Sequence, residues 1–137
     1  MPEANDIAAR LRQAASLPEV LAAGLDAFEA IRTAARHCQD QVPELFAAFM
    51  TTADAAVDGR EALTIAPSLP LDGGAGPGAV VSTGADAGQA AGALAALAAV
   101  LRLRLTDAAT QADLPDDRTA CQDGAEAADQ ICQLMTR

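Results

Sequence analysis

Seven prolines punctuate this 137-residue chain and set its segments before any other signal does. Four stand between a hydrophobic residue and an acid: Met1-Pro2-Glu3, Leu17-Pro18-Glu19, Val42-Pro43-Glu44 and Leu114-Pro115-Asp116. In the first turn of a helix, proline lacks only an N–H that would be unpaired anyway. The acid behind it faces the positive end of the helix dipole. Each tripeptide therefore reads as a helix start, with the preceding hydrophobe pinning the entering chain. Ser16, three residues before Glu19, adds a capping box to the second. Pro67, Pro70 and Pro77 instead cluster in one stretch with the glycines of "DGGAGPGAVVSTG" at 72–84, which reads as a loop.

Between these marks the apolar residues recur at steps of three and four. Leu17, Leu21, Leu25, Phe28, Ile31, Ala35 and Cys38 line one helix, and Val42, Leu45, Phe46, Phe49, Ala53, Ala56 and Val57 the next. Gly59 falls inside that second pattern, which predicts a continuous helix with a weak point there. After the loop, Thr83 and Asp86 form a second capping box. A helix over about 85–110 carries Leu94, Leu97, Leu101 and Leu105 on one stripe, with Val100 and Leu103 beside it. A helix apolar over so much of its circumference is central in a bundle or shared with a second subunit. The last helix begins at Pro115 and presents Cys121, Ala125, Ala128, Ile131, Cys132 and Met135. Gly124 in its middle costs roughly 1 kcal/mol relative to alanine.

The predicted fold is all-α: an up-down bundle of about four main helices in two α-hairpins, with a short N-terminal helix. It forms one domain over 1–137. The N-terminal helix and first hairpin occupy 1–66, a Gly/Pro-rich loop 67–83, and the second hairpin 84–137. The short connections inside each hairpin favour antiparallel neighbours. The loop is long for a compact bundle, and high mobility is expected at 72–79.

Composition narrows the functions. Hydrophobic residues make up 51% of the chain, but alanine is the largest part of them, with three Phe and no Trp or Tyr. Such a core depends on helices approaching closely. The formal net charge is −10 and every basic residue is arginine. A chain so acidic repels phosphate backbones and anionic headgroups, which argues against nucleic-acid and membrane-surface partners. The longest apolar run, 90–101, is short for a bilayer span and is followed by Arg102 and Arg104. Cys38, Cys121 and Cys132 form no C-x-x-C pair and no disulfide framework, and no secretory leader is visible. A reducing cytoplasm is expected, and the Arg-only, Ala-rich composition suits a GC-rich bacterial genome.

No catalytic, metal or cofactor constellation stands out. A phosphate loop needs a preceding strand and, in its P-loop form, a lysine; the glycine stretch has neither. His37 and Cys38 diverge by about 100° on a helix, too far for a nucleophile–base pair, and His37 falls on the polar face. One histidine also cannot supply the two Glu-x-x-His pairs of a dimetal bundle.

Two functional readings follow. The first is a protein–protein interaction or self-association module, with itself, as a homodimer, or another protein as partner. The second is a small-molecule-binding or catalytic bundle with a pocket near Arg32, Phe46, Met50 and Arg60. If the first hairpin turns near residue 41, Arg32 comes level with Met50 and Asp54 and can pair with Asp54. Asp58, Arg60 and Glu61, with Ser68 in "APSLP", would form the rim of such a groove.

Overall fold

The computed structural model describes residues 4–70 and 87–136. Five α-helices form in order: α1 (Ala4–Gln13), α2 (Leu17–Gln39), α3 (Phe46–Thr64), α4 (Ala87–Gln111) and α5 (Pro115–Met135). A 3-10 turn, Pro43–Leu45, precedes α3. The fold is an all-helical bundle, as the sequence predicts, and the described residues contain no strand. Pro18 and Pro115 lie in the first turns of α2 and α5, and Pro43 opens the 3-10 turn. At the start of α2 the Glu19 N–H donates to Ser16 Oγ at 3.4 Å, and Glu19 Oε2 accepts from the Ala15 N–H at 2.7 Å. Pro2, the Thr83–Asp86 box, the glycine stretch and the mobility expected of 72–79 lie outside the described residues.

The packing partners form a ring. α2 lies against α3 and α4, and α5 also lies against α3 and α4, leaving α3 and α4 on opposite corners. Gly59 faces Phe28 and Gly24 faces Leu63, so α2 and α3 are antiparallel. Leu105 joins Leu63 at both Gly24 and Gly124, which puts the C-terminal ends of α3 and α4 at one level. Cys132 Sγ reaches Ala95 O at 3.6 Å, so α4 and α5 are antiparallel too. Every neighbour in the ring is therefore antiparallel, but the chain order is up, down, down, up. The chain leaves α3 at one end of the bundle and enters α4 at the other. At a rise of about 1.5 Å per residue, that separation is on the order of 35 Å, the length of α4. Two short hairpin turns could not reveal this long-range step.

One hydrophobic core runs through all five helices. It is fitted by size rather than by aromatic bulk. At one level Leu63 and Leu105 approach from opposite corners, and Gly24 and Gly124 occupy the other two. A Cβ on Gly24 would lie 2.9 Å from Leu63 Cδ1, and one on Gly124 would lie 3.0 Å from both leucines. Gly124 thus trades helix propensity for close packing. At the next level the Phe28 ring stands end-on against Gly59, and α3 continues through that glycine unbroken.

α1 closes the seam between α2 and α4. Ile7 and Leu11 are buried, and Arg104 of α4 donates from Nε to Leu11 O at 3.0 Å and from Nη2 to Ala14 O at 2.5 Å. These are carbonyls at the C-terminal end of α1 that the helix itself leaves unpaired. Arg10 of α1 reaches the buried Asp26 of α2 at 2.5 Å.

Candidate functional site

The residues singled out from the sequence do not form one site. Arg32 and Arg60 do converge, but on Glu29: Arg32 grips both its carboxylate oxygens, and Arg60 Nε lies 3.7 Å from Oε2. The pair expected with Asp54 does not form. The register shown by Gly59 at Phe28 and Gly24 at Leu63 sets Arg32 level with residue 55, beside Asp54, so axial level does not separate them. Asp54 is exposed, and Glu29, one turn back on the same helix, takes the Arg32 guanidinium instead. The hydrogen bond from Arg32, with the charges of Arg32, Arg60 and Arg36, holds the Glu29 carboxyl below its usual range against the opposing effect of burial. The two guanidiniums are thus spent on an ion cluster at the surface.

Phe46 and Met50 sit one turn apart on α3, 40% and 43% exposed, nearer the opposite end. Asp58 and Glu61 are exposed on α3. Ser68 lies beyond the C-terminal end of α3, where its N–H donates to Asp117 Oδ1 at 3.0 Å and its hydroxyl to Oδ2 at 2.5 Å. Asp117 is 1% exposed and lies in the first turn of α5, so this contact fastens the exit of α3 to the entry of α5. A surface depression of about 430 Å³ runs between α1 and α2 and is lined by Asp6, Arg10, Gln13 and Glu19.

Burial, helped by the charge of Asp117, raises the Cys121 thiol to about 11, so it stays protonated at neutral pH. Cys132, raised mainly by burial, gives its thiol to a backbone carbonyl. His37 is exposed and lies 3.2 Å from the Gln41 amide. Among the described residues no three His, Cys, Asp or Glu side chains gather to hold a metal.

The surface that stands apart is the outward face of α4. Its buried face is the predicted leucine stripe, Leu94, Leu97, Leu101 and Leu105. Its outward face carries Gln89, Gly92, Ala96, Ala99, Leu103, Thr106 and Thr110 at alternating steps of three and four, the spacing of a helix–helix seam. All are exposed except Ala99, which is half-buried, and none is charged. The local chemistry keeps this strip apolar. Arg102 leans to one flank toward Asp129 of α5 at 3.4 Å, and Arg104 leans to the other flank onto α1. Leu103 is left between them, 59% exposed. The Thr106 and Thr110 hydroxyls donate to Arg102 O and Asp107 O, both at 2.7 Å, turning their polar ends back onto the helix.

By length and composition, Gly88–Gln111 is the one helix among the described residues that could cross a membrane, at a mean hydropathy of 1.2. Glu29, Asp117 and the α4 seam were missed as separate features from sequence. Only the seam had a readable signal: a second three-four series offset from the leucines and free of charge. Compared with known protein families, characterised proteins and solved structures, the chain matches none.

Proposed function

We propose that this chain is a helical protein–protein interaction module that docks through the outward face of α4, in the cytoplasm of a bacterial cell. The observation that carries this is the uncharged seam from Gln89 to Thr110 on a chain of net charge −10. An acidic surface resists close approach, and an uncharged strip of about six turns is where a partner helix meets least repulsion and gains apolar burial. The small side chains at Gly92, Ala96 and Ala99 let another backbone come near. Three cysteines with no disulfide among them suit a reducing compartment. The arginines that would grip a small acidic ligand are already engaged by Glu29, which favours the docking reading over a pocket.

The experiment is a comparison of the wild-type chain with Leu103→Arg. Light scattering reads self-association, and capture from source-cell extract on each immobilised chain reads other partners. Loss of a complex in the variant supports the reading. A monomeric wild type whose captured proteins are the same as the variant's defeats it.

A further inference from the structure

Resting on that reading, we infer that the partner at the α4 seam is a second copy of this chain, docked antiparallel so that Leu103 of each copy enters the notch at Gly92–Ala96 of the other. Two features of the seam are self-complementary only in that orientation, and a third keeps the seam clear. The first is size. Leu103 is the one large side chain on the strip, and Gly92 the smallest; a Cβ added at Gly92 would meet nothing within 4 Å, so the notch is open on the monomer. A two-fold axis near residues 98–99 sets each Leu103 over the partner's notch. A parallel pair would stack Leu103 on Leu103 and leave the glycines facing across a gap.

The second is charge. Asp107 is exposed near the C-terminal end of α4, where an acid opposes its own helix dipole. The same axis brings it beside the first turn of the partner's α4, the positive end of that helix. In a parallel pair both Asp107 carboxylates would stay at one level beside two negative helix ends. The third is the flanks: Arg102 and Arg104 are held aside by Asp129 and by α1, so neither copy presents an arginine to the other's seam. A single helix pair falls at or below the low end of the roughly 1,200–2,000 Å² buried in specific interfaces, so the dimer is weak and concentration-dependent.

Sedimentation of the full chain from micromolar to millimolar concentration tests this, with Leu103→Arg and Gly92→Leu alongside and thermal melts confirming that each variant folds. A reversible dimer is expected, weakened about tenfold or more by Leu103→Arg. Gly92→Leu fills the notch and should also weaken it, although it adds apolar surface and improves helix propensity. A dimer that Gly92→Leu strengthens would show general stickiness and overturn the notch geometry. A wild type monomeric throughout overturns the second copy. If that monomer floats with phosphatidylcholine vesicles, the occupant is lipid. If it holds a different protein in a Leu103-dependent way, the second copy is lost while the docking reading stands.

Discussion

At the end of the bundle where α3 stops and α5 starts, separate elements are joined by hydrogen bonds with short, charged partners. Ser68 is tied to Asp117, Arg104 to the carbonyls closing α1, and Arg118 to Ala112 O at 3.1 Å. The core just inside is interlocked by Leu63, Leu105 and two glycines. Toward the opposite end the links are weaker. α3 begins from a 3-10 turn with no side-chain cap, Phe46 and Met50 stand partly exposed, and the thiol of Cys132 makes a long contact to Ala95. Thr52 is fully buried there, and its hydroxyl has no partner. Both ends bury comparable side chains, so apolar burial does not distinguish them. What differs is how completely the polar groups near the core are satisfied, and that is a property of partners rather than of any single residue.

The contrast can be broken or sharpened by substitution. The largest effect is expected at the interlocked level. Leu63→Ala leaves a space that neither glycine can fill, and should destabilise the chain by about 4 kcal/mol in denaturant unfolding. A loss near 1 kcal/mol would mean that this level collapses easily and is not the tighter one. At the other end, Thr52→Val keeps the shape and removes the orphaned hydroxyl. It should stabilise by about 1 kcal/mol, with slower hydrogen exchange along the first turns of α3. Destabilisation instead would reveal a hydroxyl contact.

The smallest effect belongs to the Glu29 cluster between the two ends. The folded-state pKa of Glu29 is depressed, so its contribution is present above the unfolded value of 4.5 and is lost as pH falls through the lower folded value. Because its side chain is 37% exposed, Glu29→Gln should cost only a few tenths of a kcal/mol at neutral pH. The wild-type advantage should vanish in acid. A difference that persists unchanged at pH 2 would assign the effect to packing.

The features legible in the sequence are the local ones. Pro18, Pro115 and the Ser16–Glu19 box marked helix starts because caps and first turns are settled within a few residues. The leucines of α4 announced a buried stripe by spacing alone. Arg32 was paired with the wrong acid because level placement across a hairpin does not decide a partner, and Glu29 one turn back on the same helix offers its carboxylate locally. Gly124 looked like a weak point because propensity is read along one helix, whereas its purpose lies in Leu63 and Leu105 on two others. The proposed site residues were drawn from the first hairpin. The α4 seam was legible, but the same spacing that marks a core masked a second stripe beside it.

The parallel course of α3 and α4 on opposite corners has a consequence for how this gene can change in length. The end of α3 and the start of α4 lie at opposite ends of the bundle, and at about 3.3–3.6 Å per extended residue some ten or eleven residues are the least that can join them. Added residues cost only the slow logarithmic rise of loop closure. Insertions at this point should therefore be nearly free, whereas deletions meet a sharp limit. The constraint is one-sided, and it acts on the number of residues rather than their identity.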